Sequence, residues 1–183
     1  MDILMSAKNI SSISLNKGSD YIENPKVFRA IGGVSTSTML VPPLTTKLET
    51  LVRLVNQYRA SRSVAPLAVD ARLVTAARRH NNLMATNHIL SHQIVSVGER
   101  PPFQLGPNND RLDAVGYNWT FGGENIARGF ITPTSVLNAW KNSPPHNSNL
   151  LTKNAKNIGV AYNPNGSYWT LDVANTTSPT IPL

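Results

Sequence analysis

Gly122-Gly123-Glu124-Asn125-Ile126-Ala127 places a carboxylate directly behind two glycines and ahead of an apolar pair. Glycine carries no Cβ, so the backbone there can approach a neighbour closely. Three further blocks stand around this one in a fixed order. Ser91-His92 lies upstream; Ala139-Trp140-Lys141-Asn142-Ser143-Pro144-Pro145-His146 and Tyr168-Trp169-Thr170-Leu171-Asp172 lie downstream. Two histidines and a glutamate, distant in sequence and each beside a residue that shapes the backbone, suggest a polar cluster assembled by folding.

The surrounding pattern predicts helices first and strands last. Thr46-x-x-Glu49 reads as a capping box, and Leu48, Leu51, Val52, Val55 and Tyr58 recur at helical spacing. A second helix starts at Asp70 as N-cap, with Leu73, Ala77, His80 and Met84 on one face. Gln93 to Gly123 is rich in Gly, Pro and Asn and reads as a long loop. Thr132 with Pro133 opens a third helix that buries Val136, Leu137 and Trp140. Ser143-Pro144 repeats that signal for a short helix through Leu151. Ile158–Tyr162 and Tyr168–Val173 read as strands joined by Asn163-Pro164-Asn165-Gly166-Ser167. Residues 1–45 are polar and serine-rich at the start and are expected to form an extension or docking arm. Residues 46–175 form the domain, and 176–183 an extended tail.

The 183 residues suit one domain plus an extension. Without cysteine, no disulfide framework and no thiolate chemistry is available. The net charge of +7 admits an anionic partner. The cations at Arg53, Arg59, Arg62, Arg72, Arg78 and Arg79 also read as the solvated face of two helices. The first 20 residues lack the pattern of a secretory signal, and no stretch approaches a membrane span. Sequons at Asn9, Asn118, Asn165 and Asn175 read as chance without an export signal.

Among the candidate site residues, His146 falls in the opening turn of a helix, whose dipole favours a neutral imidazole. His92, Glu124 and His146 are a ligand set that zinc accepts, leaving one position open. The competing reading is a hydrogen-bonded cluster that fixes the long loop to the helices. His80 reads as a satisfied core histidine and His88 as an exposed one near a helix end. Ser91 and Ser143 are nucleophiles in principle, but no oxyanion hole can be read, and Ser143 is explained as a helix cap. Asp172 shares a strand face with Tyr168 and Thr170, and points either to the cluster or to solvent.

Taken in order, the blocks resemble the CAP superfamily, or SCP domain, over about residues 47–175, nearest its cysteine-free bacterial branch. The matching text includes Leu54-Val55-Asn56-Gln57-Tyr58-Arg59, Ala76-Ala77-Arg78-Arg79-His80, Ser91-His92, Gly123-Glu124-Asn125-Ile126-Ala127, Ser143-Pro144-Pro145-His146 and Ile158-Gly159-Val160-Ala161-Tyr162. The resemblance implies an α+β fold: an α/β/α sandwich with a small antiparallel sheet between helical layers, here with an extended N-terminal arm. It implies a cavity lined by two histidines, His92 and His146, and two acids, the first being Glu124, which binds zinc or another divalent ion in some members. The second acid should follow Trp140, where this chain has Lys141-Asn142-Ser143; Asp172 is a substitute candidate. Pro145 stands where bacterial relatives carry glycine. Family roles include sterol or lipid binding, partner recognition and, in a few members, proteolysis.

The incomplete acid set, the basic charge and the arm together lead to one expectation. This is a non-catalytic interaction module, extracellular or particle-associated, that binds an envelope component, a lipid or a protein of a larger assembly. The second expectation is a divalent-metal-assisted hydrolase using His92, Glu124 and His146. Nucleic acid is a weaker partner class, because basic and aromatic residues do not interleave.

Overall fold

Leu48, Leu51 and Val55 recur every three or four residues, and that stripe is what α1 (Thr46–Ser61) buries. The fold comes from a computed structural model that describes residues 42–93 and 110–183. After α1 come β1 (Ala68–Val69), α2 (Ala71–Thr86), α3 (Asp110–Asp113) and β2 (Trp119–Arg128). Then follow α4 (Pro133–Lys141), α5 (Pro144–Leu151), β3 (Asn157–Asn163) and β4 (Tyr168–Thr176). The four strands form one sheet in the order β1-β3-β4-β2.

Period-two alternation along β4 sorts its side chains between two layers. Trp169, Leu171 and Val173 join Leu48, Leu51, Val55, Val136, Leu137, Trp140 and Leu150 in the larger core, against α1, α4 and α5. On the opposite face Ala174 packs with Leu73, Ala76 and Leu112, and Tyr168 with Met84 and Ile126, against α2 and α3. The sheet is therefore sandwiched between helical layers, as expected. Gly159 lets α2 lie directly on β3: a Cβ there would stand 2.2 Å from the Leu73 carbonyl carbon.

The structure corrects several details. The sheet is antiparallel except at β1, which pairs parallel to β3. The supposed long loop holds α3 and the start of β2, because Gly122 and Gly123 lie inside a strand rather than before one. Residues 94–109 of that loop, and residues 1–41 of the arm, lie outside the described residues. The N-cap of α1 is Thr45, which makes no side-chain cap bond, so no capping box forms at Thr46.

Two of the arginines read as solvated are inside. Arg59 is 1% exposed and donates to the carbonyls of Ala65, Leu150 and Thr152. Arg72 pairs with Asp70 at 2.8 Å and lies over the Tyr117 ring. The tail is not loose either. Ile181 donates to Asp70 and accepts from the Ala71 N–H, Arg72 binds the Pro179 carbonyl, and Asn157 binds Thr180.

Candidate functional site

The edge strand β2 lays Glu124 on the face that looks toward α2 and α3, and its neighbour Asn125 on the other. Gly123 makes room for this. A Cβ there would come within 2.8 Å of Asn149 Oδ1, the side chain that locks α5 to the strand. Asn149 Nδ2 donates to the Glu124 carbonyl and to Asn125 Oδ1, and Asn125 Nδ2 donates to the His146 carbonyl. These amides tie α5 to β2 and hold both blocks in place.

Three groups converge on one oxygen of Glu124, whose side chain is 1% exposed. His92 Nδ1 lies 2.6 Å from Oε1, Arg111 Nη2 donates to it at 3.1 Å, and His80 Nε2 stands 3.7 Å away. His92 is the outermost, with its side chain 30% exposed. Across the sheet, Asp172 occupies the register position opposite Glu124 and is also buried.

Two carboxyls cannot both ionise so close together in a dry place. Burial, then the Glu124 charge and a hydrogen bond to it, push Asp172 well above the usual range for an aspartic acid. Burial also pushes Glu124 up, but His80, charged in the acid range where Glu124 titrates, together with Arg111 and the His92 bond, outweighs it and holds Glu124 down at about 2. Desolvation takes His80 down to about 4, so at neutral pH it is uncharged and Arg111 is the permanent cation. Of the two carboxyls, Glu124 is thus the one that ionises first, and Asp172 keeps its proton to the higher pH.

The sequence candidates separate at this point. His92, Glu124 and Asp172 come together. His146 is buried on the α5 side, its Nδ1 2.8 Å from Ser143 Oγ, and is not among the groups on the Glu124 carboxylate. Ser143 is the N-cap of α5 but makes no cap bond. Pro145 removes the N2 donor, and the hydroxyl bonds the imidazole of His146 rather than its N3 N–H.

His80 is buried in the core as expected, but among the described residues no side chain hydrogen-bonds its ring nitrogens, the Ser91 backbone being the polar group beside it, and none bonds Asp172 Oδ1. Arg111 was missed altogether. The signal was present in Leu112 and Val115, one turn apart behind it and both buried, but it was too short to read as a helix.

The divalent ion expected from the resemblance meets two obstacles in this geometry. A guanidinium already stands against Glu124 Oε1. Among the described residues, no group of three or more His, Cys, Asp or Glu side chains is placed to hold a metal ion. In this arrangement the residues do not fit such an ion, and no step is derived through one.

With this geometry in view, the comparisons with known proteins decide the family. Residues 52–174 match the model of the cysteine-rich secretory protein family, CAP. The chain belongs to the CAP family. It is 36% identical over 120 residues to the uncharacterized protein YkwD of Bacillus subtilis, an alignment covering 66% of this chain and 44% of YkwD. The chain thus spans less than half the length of that relative. The CAP fold recurs in an extracellular SCP-domain protein from Bacillus anthracis at 25% identity, with a TM-score of 0.60 over 74% of this chain and 45% of that one. An outer surface protein from Borrelia burgdorferi, at 18% identity, gives a TM-score of 0.63 over 74% of this chain and 97% of that one. Among the described residues no helix of this CAP domain is long and apolar enough to cross a membrane.

Proposed function

We propose that this CAP domain is a non-catalytic interaction module working outside the cell or on a particle, where it holds an envelope component, a lipid or a protein partner. One observation carries this reading: the Glu124 carboxylate is buried and already bonded to His92 and Arg111. A general base or metal ligand needs an accessible lone pair directed at water or substrate. Here the lone pairs of Oε1 hold the cluster together instead. Similarity to proteins described as extracellular or outer-surface supports the location.

Elemental analysis and melting curves test the reading. The purified chain is expected to carry no stoichiometric divalent metal, and its melting temperature is expected to stay unchanged with zinc or EDTA. It should also co-sediment with insoluble envelope material and be released by salt. One bound metal ion per chain that Glu124→Gln loses, or ester or peptide hydrolysis that Glu124→Gln abolishes, would overturn it.

A further inference from the structure

A groove of about 660 Å³ opens between the start of α1, α2 and the β3–β4 hairpin. Its wall differs in chemistry from the Glu124 cluster. No acidic side chain is among the described residues that line it, while Lys47 and Arg78 both do. Among the described residues, no carboxylate pairs with either cation. Lys47 Nζ donates to the Ile131 carbonyl at 3.0 Å and sits 3.9 Å over the Tyr162 ring; Arg78 reaches the Pro42 carbonyl at 3.4 Å. An ammonium has three donors and a guanidinium five, so both retain donors for a ligand.

The rest of the wall is mostly apolar and carries a hydrogen-bonded pair of amides. Asn163 Nδ2 donates to Asn82 Oδ1 at 3.0 Å, and Asn163 Oδ1 accepts from the Asn165 N–H at 2.9 Å. These bonds fix the amide pair and leave the Asn82 amino group to the groove. Tyr162 is braced obliquely on Trp169 at 4.4 Å. Lys47 Nζ already covers one face of that ring. Pro164 adds an apolar patch beside the amides.

We propose that this groove binds an acidic glycan, a sugar unit carrying hydroxyls and a carboxylate or phosphate. The anionic group meets Lys47 and Arg78, the ring oxygens accept from Asn82, and the apolar side of the sugar lies along Pro164 and the edge of Tyr162. Charge complementarity selects the anion, and the Asn82 amide donor set beside an apolar wall selects the sugar. The proposal rests on the binding-module reading and gives that module a ligand class.

Titration of the full-length ¹⁵N-labelled chain with trigalacturonate, with a glycerol-phosphate trimer, with neutral maltotriose and with a pentaglutamate peptide tests it. The two acidic glycan probes are expected to move the amide resonances of Asn82, Tyr162 and Asn163, and higher salt to weaken them. Which of the two binds more tightly assigns carboxylate or phosphate. Arg78→Gln and Asn82→Ala, both on the helix surface, should each weaken binding by about tenfold with unchanged melting temperature. Lys47→Gln serves as a third variant. Equal binding of maltotriose, tighter binding of the peptide, or no response at these residues overturns the glycan. So does a groove already filled by another segment of the chain, seen as cross-peaks before any probe is added. Binding lost in His92→Ala but kept in all groove variants overturns the groove and leaves the module reading standing.

Discussion

Glu124 and Asp172 face each other at one register position of β2 and β4, two buried carboxyls of which Glu124 is held below its ordinary range and Asp172 well above its own. Asp172 must keep its proton to donate to Glu124, and solvent at neutral pH would remove it. An amide donates without that requirement. Because the folded-state pKa of Asp172 is raised, the folded chain holds this proton where the unfolded chain has released it. That term erodes stability as pH rises through the unfolded value of 3.8. Asp172→Asn is therefore expected to raise the melting temperature at pH 7 by a few degrees and to lose that advantage toward pH 4. Melting curves across that range check it; a lower melting temperature at pH 7 would show that Asp172 is charged.

His80 makes the fold acid-sensitive in the opposite direction. Its folded pKa falls from 6.5 to about 4, so the unfolded chain takes up a proton first as pH drops. The stabilisation is present in full above about pH 6.5 and is lost as pH falls toward 4, a change of about 3 kcal/mol. Urea unfolding at intervals between pH 7 and 4.5 should show that slope, and His80→Gln should flatten it.

Arg111 is the cation that makes the buried Glu124 tolerable. Arg111→Met leaves a desolvated carboxylate without its permanent counter-charge, and a loss of roughly 3–5 kcal/mol is expected. Combining it with Glu124→Gln should recover much of that loss. A double variant no better than the single one would mean that Arg111 acts elsewhere.

Thr132 and Ser143 stand in the same cap-then-proline setting, yet one caps and the other does not. Thr132 Oγ1 accepts from the Ser135 N–H at 3.1 Å, whereas the Ser143 hydroxyl is bonded to His146 Nδ1. Thr132→Ala should cost about 1 kcal/mol and Ser143→Ala distinctly less. The Ser143 change should instead shift the ¹⁵N resonances of the His146 ring, while the Thr132 change should not.

Residues 178–183 lie beyond the matched family segment but close over the N-terminus of α2. Their removal strips Asp70 and Ala71 of Ile181, Arg72 of Pro179 and Asn157 of Thr180. A destabilisation of ~4 kcal/mol in urea is expected, at about 1 kcal/mol for each of these four lost bonds. A truncated chain as stable as the full one would make the tail a passive appendage.

Periodicity and turn chemistry settled the local elements in advance. The stripe at Leu48, Leu51 and Val55, the Asp70 cap, Pro133 at the start of α4 and the hairpin around Asn165-Gly166 are all local signals, and each stands where it was expected. Where a signal was short, or shared with loops, the reading failed. Two glycines inside β2 looked like loop, and one turn of α3 was too brief to register.

From its order of residues alone, this chain determined its helices, its hairpin, its family resemblance and the nomination of His92, Glu124, His146 and Asp172. Folding alone decided which of them meet. Arg111 reaches Glu124 from another element, Asp172 faces it across a strand pair, His80 approaches from the helix above, and His146 stays with Ser143. Such pairings depend on register, layer and the space that Gly123 and Gly159 leave open. They are distances through space, and spacing along a chain does not encode them.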